Sequence, residues 1–472
     1  MPIWQIRTYC EDCKTMTYRN ESATFSVNNN MQTPSSSEFD ICKIFIALLS
    51  RKTSNSKQFS LTDISLLLSK PANNDTDRRF SFLCANPSQK LSFTCTNTLK
   101  VWQQTLSANN KPQINNKHSD IPFHSGWVGY YSYPEVNPAV IAEFNHYPWA
   151  ICFDHFHDCF HLLGEPDLAA ENAYHWLSKH TISSAIADDS NARSFHCLPF
   201  KDRWDRDDYQ QAFNKVQNYL LAGDCYQVNL THPFISPLYK GSALDTLLPL
   251  FNALKPSFGC YFKGSECELI SMSPERFISI NRSGKLEAKP IKGTIKRSDD
   301  SIRDNELITE LSNSAKNKAE NLMIVDLLRN DLSMSAIPGS VKVDKLFELE
   351  THPNVHHLVS TISAQLKPDV SPAEAISNAF PGGSITGAPK KRAMEIIAEL
   401  EVQPRSLYCG SFGYFSDTGN TDFNILIRSL EFRDNTITCW GGGGITVDSD
   451  CDEEYEESLT KIRRIMDTVE NI

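Results

Sequence analysis

The stretch CELISMSPERFISINRSGKLEAKPIKGT, residues 267–294, decides the fold. Apolar and polar side chains alternate through it, and turn residues break it into successive strands. PSFGCYF (256–262) precedes it as another strand, and YCGSFGYFS (408–416), FNILIRSLEF (423–432) and TITCWGGGGITV (436–447) form a later run. Helical periodicity falls between the runs, at 205–224, 299–333, 371–380 and 388–400, and closes the chain in DEEYEESLTKIRRIMDTVE (452–470). Strands in consecutive runs with helices as insertions argue for an α+β fold rather than a doubly wound parallel sheet. Near the end of the stretch, KPIKGTIKR (289–297) places Lys292 directly before the Gly293 turn. It is either a solvated basic turn or a lysine held in a pocket for chemistry, and the rest of the chain must decide.

The 472 residues carry a formal net charge of -11. Phosphate backbones and anionic membranes are bound through basic footprints, so the charge argues against both as partners. An anionic small molecule stays open if cations gather locally. No run is apolar and long enough to span a bilayer; the best, ICKIFIALL (41–49), is short and carries Lys43. The start, MPIWQIRTYCEDCK, has acids and no apolar signal core, which predicts a cytosolic protein. The 14 cysteines show no compact spacing pattern and suit reduced, mostly buried thiols. Cys10 and Cys13 have metal-ligand spacing, but no second pair follows nearby.

Residues 1–36 are polar and are expected to be a disordered leader. Residues 37–190 form a strand-rich N-terminal region, with strands at RRFSFLCANP (78–87), GWVGYYSYP (126–134) and WAICFDHF (149–156) and a helix at 167–180. ADDSNARSF (187–195) is a linker, and 200–468 carries the candidate chemistry.

In the last helix Glu454, Glu457 and Lys461 stand at i, i+3 and i+7 and share a face. That pattern is either a solvated face or a carboxylate pair for a hard divalent cation with a lysine beside it. Mg²⁺ typically takes one or two protein carboxylates and leaves its other positions to water and substrate. Glu320 lies beside the apolar stripe of its helix, where an acid is costly unless paired or metal-bound. Gly441–Gly444 follow a strand; they suit close backbone approach to an anion, or a bulge or tight hairpin. Glu275 sits at a strand turn, and of His356 and His357 one should face the interior. CFDHFHDCFH (152–161) alternates His and Cys, but one straight strand spreads four ligands too far for zinc, so two strands around a turn without metal are expected. G-x-S-x-G, P-loop and H-E-x-x-H motifs are absent, as is the G-x-C-x-G of a glutaminase nucleophile.

Taken in order, CYQVNL (225–230), SPERF (273–277), PIKGT (290–294), AENLMIVDLLRNDL (319–332), HHLVSTI (356–362), FPGGSITGAPKKRAMEII (380–397), YCGSFGY (408–414), ILIRSL (425–430) and GGGGITVDS…EYEESLTK (441–461) resemble the chorismate-utilising enzymes. The resemblance spans residues 205–465 and is closest to the branch that makes 4-amino-4-deoxychorismate for p-aminobenzoate and folate. It implies two stacked, mostly antiparallel sheets with surrounding helices. It also speaks to Lys292, because relatives that make anthranilate have a small residue there. In the aminodeoxychorismate branch the lysine is the proposed nucleophile on the ring, with Glu275 protonating the departing C4 hydroxyl. The resemblance further implies Mg²⁺ held by Glu320 and Glu457 with Glu454 behind them. Arg428, Tyr408, Lys461 and the backbone of Gly442, Gly443 and Gly444 would hold the side-chain carboxylate of chorismate. Gly293, Thr294, His357 and Ser384 would line the pocket. Ammonia would come from a separate glutamine amidotransferase subunit. Ser69, Arg79, Phe80, Pro256 and Ser257 fall near the segments that bind a tryptophan effector in some relatives. Anthranilate, isochorismate or salicylate synthesis, or a catalytically inactive sensor, are the competing expectations.

Overall fold

The structure is a computed structural model that describes residues 24–26, 41–50, 61–69, 79–108, 120–135, 140–179, 195–298, 300–351 and 355–472. The Cys10/Cys13 pair, the leader apart from residues 24–26, and all but the last residue of the 187–195 linker lie outside the described residues. Within the leader, Thr24–Ser26 pairs as a strand with Cys159–His161.

The strands form a 13-stranded and a 10-stranded sheet, and every pairing in them is antiparallel. Strands from the two halves of the chain interleave in both. Ser65–Leu68 lies between Phe80–Cys84 and Phe258–Lys263 in the larger sheet. Gly126–Tyr131 pairs with Ser411–Ser416 in the smaller one. The sheets face each other across an aromatic layer in which Phe262 meets Tyr130 and Phe412 at 5.8 and 5.7 Å. Helices cover the outer faces: Ile41–Ser50, Leu168–Lys179, Ala243–Leu254 and Cys451–Glu470 on the larger sheet, Thr96–Ala108, Ala315–Ser335 and Pro372–Ala379 on the smaller. Two faces with a stripe of helix on each is the expected solution for sheets that are apolar on both sides. The described cysteines are all free, and most are buried.

The deciding stretch divides between the sheets. Glu268–Ser273 belongs to the larger and Arg276–Ile280 to the smaller. Their neighbours make the same passage in reverse: Thr421–Asn424 pairs in the smaller sheet and Ser429–Arg433 in the larger. Two antiparallel segments thus cross together from sheet to sheet. The crossing is tied by Ile425 N–H donating to the Glu275 carbonyl at 3.1 Å, Met272 N–H to the Arg428 carbonyl at 3.0 Å, and the Ser273 hydroxyl to the Ile425 carbonyl at 2.7 Å. Pro274 suits the break, since it has no N–H to give to a ladder. Glu275 and Arg428 sit on this crossing.

The last helix starts at Asp450, whose carboxylate accepts from the N–H groups of Asp452 and Glu453. Ser458, Ile462, Ile465 and Val469 form its buried stripe, and Glu454, Glu457 and Lys461 lie beside that stripe. CFDHFHDCFH forms two strands around a turn, Trp149–Asp154 against Cys159–Gly164, as the sequence predicts.

Candidate active site

Lys292 is aimed by a bulge. Strand Ile291–Lys296 lies along Val355–Gln365, with Ile291 opposite Val359 and Thr294 opposite His357, so the register slips across Lys292 and Gly293. Gly293 takes φ +89°, which a side chain rarely adopts, and a Cβ there would stand 3.1 Å from Asn317 and Leu311. An extra residue at such a slip turns its side chain away from the regular alternation. Thr294 bonds His357 Nδ1 at 2.8 Å, while His356 turns inward to Asp304 at 3.0 Å. The inward histidine is the one the strand pattern called for.

Glu275, on the sheet crossing, lies within the electrostatic reach of Lys292. Its carboxylate accepts from the Ser384 hydroxyl at 3.1 Å, from the short turn Gly383–Ile385. Burial pushes the Glu275 carboxyl above its ordinary range, against the pull of Lys292, Ser384, Arg428 and Lys461 in that order. Burial likewise lowers Arg428, with Glu275 opposing. Neither Lys292 nor Arg428 is held in an ion pair or side-chain hydrogen bond among the described residues. Two basic side chains and a buried acid are thus near one another without being tied up in ion pairs among the described residues.

The glycines are neither a bulge nor a hairpin. Gly441–Gly444 lie inside the strand Thr436–Ile445, in unbroken register with Asn229–His232. The last helix sits directly on them: a Cβ on Gly441 would come within 3.0 Å of Ile462 and of the Ser458 carbonyl. One on Gly443 would stand 3.2 Å from Glu454 Oε2 and 3.3 Å from Lys461 Nζ. The other edge of this strand pairs with Ser429–Arg433 only as far as Cys439, so beside the glycines that edge is unpaired among the described strands. Lys461 donates to the Gly442 carbonyl at 3.1 Å and pairs with Glu457 at 2.8 Å. Tyr408 is buried and stacks flat on Trp440 at 5.7 Å, and burial raises its hydroxyl's pKa.

The acids of the last helix form an electrostatic pair. Burial pushes Glu454 up, and the neighbouring Glu457 charge adds to this against a Ser449 hydrogen bond, Lys461 and Lys316. Glu457 is more exposed, its side chain 59% accessible; partial desolvation acts on it too, but Lys461, Lys292 and Lys316 outweigh it and hold the carboxyl below its ordinary range. Glu320 is half-buried, one turn beyond Lys316 and Asn317 on the helix that touches Gly293. Among the described residues, Asp154, Cys159 and His161 are the group of three whose donor atoms fall within 4.8 Å of one another, so Glu320, Glu454 and Glu457 do not close into such a cluster. All-oxygen donors, two of them repelling each other beside lysines, fit a hard divalent cation in an open site that leaves positions for water and substrate.

Sequence reasoning missed two contributors. Lys316 acts on both acids of the last helix. Gln227, inside the quoted CYQVNL block, is buried against the Gly444 backbone, and its Nε2 finds no partner among the described residues. Gln227 was signalled only by the recognised block it belongs to, and Lys316, outside every quoted block, had no signal.

A separate cavity of about 380 Å³ opens between the sheets. Ser69 and Phe80 line it, together with Phe258, Arg276 and Asp422. Arg79 does not; its guanidinium forks onto Asp154 and reaches Asp120 at 2.8 Å. Pro256 packs at the edge, against Gly259 of the lining, and Ser257 is the residue before Phe258.

Glu275 and Arg428 on the sheet crossing, Lys292 on its bulge and the acids of the last helix are the groups the candidate site offers. Comparison with known proteins supplies the class: the model of the chorismate binding enzyme family matches residues 65–467, and the chain belongs to that family. It is 41% identical over 397 residues to aminodeoxychorismate synthase component 1 of Escherichia coli (strain K12), covering 81% of this chain and 85% of that one. To an anthranilate synthase component I-like protein of Synechocystis it is 33% identical, covering 75% and 74%. Two solved structures share the fold. Anthranilate synthase component I from Streptococcus pneumoniae superposes with TM-score 0.69 at 24% identity, covering 88% of this chain and 96% of that one. The menaquinone-specific isochorismate synthase MenF of Escherichia coli does so with TM-score 0.66 at 16% identity, covering 95% and 94%.

Proposed function

We propose that this chain aminates chorismate at C4 to give 4-amino-4-deoxychorismate, in the route to p-aminobenzoate and folate. The observation that carries the reading is Lys292, set on a bulge at Gly293 and acting on Glu275 more strongly than any other charge. Similarity across most of the chain to aminodeoxychorismate synthase component 1 supports it.

Chorismate is a dianion, and an acidic protein can hold it only where cations are concentrated. Arg428 offers a planar fork for one carboxylate. Lys461, Tyr408 and the open edge at Gly442–Gly444 frame the same end of the pocket. Glu320, Glu454 and Glu457 would hold Mg²⁺, which when bound supplies positive charge beside the ring carboxylate. Lys292, as the neutral amine, forms a bond to C2 while the ring electrons shift and the C4–O bond breaks. Glu275 gives its proton to the leaving hydroxyl, which departs as water. Ammonia then bonds to C4, the electrons shift back and the C2–Nζ bond breaks. Glu275 recovers its proton from the new ammonium, and the free lysine returns. Thr294, His357 and Ser384 line and orient the pocket. The ammonia would come from a glutamine amidotransferase subunit, since the sequence lacks a G-x-C-x-G nucleophile.

The test is incubation with chorismate, Mg²⁺ and ammonium, with the product identified by mass. An amine that keeps the enolpyruvyl group supports the reading; a hydroxylated product without nitrogen, or anthranilate, overturns it.

A further inference from the structure

Apart from these groups, Asp202, His232 and Ser458 form a chain of acid, imidazole and hydroxyl. His232 Nδ1 lies 3.0 Å from Asp202 Oδ1, and Nε2 lies 2.9 Å from Ser458 Oγ. The order is that of a nucleophilic triad, but its burial rules that role out. His232 and Ser458 are each 0% exposed, and the Ser458 hydroxyl lies 2.7 Å from the Tyr455 carbonyl, its own helix's acceptor. The rings of Trp204, Tyr209, Phe234 and Tyr455 pack around the imidazole. The circuit then closes, because the Tyr455 hydroxyl donates to Asp202 Oδ2 at 3.3 Å and Trp204 N–H to Asp202 Oδ1 at 3.0 Å.

The circuit joins three elements: Lys201–Asp202, the long strand Gln227–Lys240, and the last helix. His232 stands opposite Gly441, the glycine nearest the Ser458 carbonyl. Ser458 follows Glu457 directly; it lies one turn after Glu454 and one turn before Lys461. Helices normally fix their rotation by setting side-chain ridges into grooves. A run of glycines offers no ridges, so close approach here comes without that lock. A directional hydrogen bond from the strand to the helix can supply it.

We propose that Asp202–His232–Ser458 is a positioning relay that sets the rotation of the last helix on the glycine strand, and with it the placement of Glu454, Glu457 and Lys461. The proposal rests on the reading of those residues as the metal and carboxylate holders.

The test uses Mn²⁺ as the probe, its binding to the full-length chain followed by electron paramagnetic resonance alongside thermal melting. His232→Phe keeps the ring's bulk among aromatic neighbours and removes both bonds. It is expected to weaken Mn²⁺ binding about tenfold, the scale of losing a group that orients metal ligands. His232→Gln, whose side-chain amide can hydrogen-bond Ser458, recovers part of the loss. If His232→Phe does not fold, Ser458→Ala decides, with a several-fold loss expected at a melting point near wild type. Mn²⁺ affinity within twofold of wild type in a folded variant overturns the relay alone. A wild-type chain that binds no Mn²⁺ overturns the metal reading and the relay with it.

Discussion

In the proposed reaction Glu275 must be an acid at a pH where most carboxyls are ionised, and burial, which raises its pKa, serves that demand. The sign follows: the proton needed by the leaving hydroxyl is present below the raised pKa and lost as pH rises through it. The rate with ammonium therefore falls on the alkaline side through that ionisation. Glu275→Gln should lose about 10²–10⁴-fold in kcat, the usual worth of a placed general acid, and should lose that pH limb with it. Stability has the same sign. A folded pKa above the unfolded one contributes stability below the unfolded value and loses it as pH rises through the folded value. The Gln variant, which never ionises, should therefore melt higher than wild type at alkaline pH; equal melting points across the range would contradict the burial argument.

At the scale of elements, the Thr436–Ile445 strand and the last helix build the cationic end of the site together. Gly443→Ala adds a methyl within 3.2 Å of Glu454 and 3.3 Å of Lys461, both movable side-chain ends, at a backbone angle alanine accepts. The expectation is a folded protein with a melting point close to wild type and an Mg²⁺ half-saturation raised about tenfold in steady-state rates. Unchanged metal dependence would separate the glycines from the acids. The sequence showed much of this but not all. Alternation gave the strands, the i, i+3, i+7 spacing gave the shared face of Glu454, Glu457 and Lys461, and the poor fit of four ligands on one straight strand gave the CFDHFHDCFH hairpin. A bulge or hairpin at Gly441–Gly444 was expected because local pattern records no partner. Gly441 and Gly443 instead meet a helix from further along the chain, and Gly442 and Gly444 meet the neighbouring strand. The crossing that unites Glu275 with Arg428 was equally hidden, since each segment's periodicity is the same whichever sheet it joins. Lys292 was legible only through the block it belongs to; the register slip that aims it depends on Val355–Gln365.

For the whole molecule, interleaving is the controlling fact. Ser65–Leu68 and Gly126–Tyr131 each lie between or beside strands from the far half of the chain. Neither half can complete its sheets alone, so calorimetry should show one cooperative transition. A fragment of residues 200–472 should expose the aromatic layer and fail to give native near-ultraviolet dichroism. Two independent transitions, or a folded fragment, would contradict this. The site inherits that dependence, because the crossing that carries Glu275 and Arg428 is held from both sheets.

The central claim is that the Lys292 amine bonds to the ring, and the most direct measurement is the intact mass of the protein after chorismate and Mg²⁺ are added with ammonia withheld. The account predicts a gain equal to chorismate less one water, mapped by proteolysis to the peptide holding Lys292 and absent from Lys292→Ala. A protein whose mass stays unchanged while wild type still aminates chorismate once ammonium is supplied, or an adduct on another residue, would contradict it.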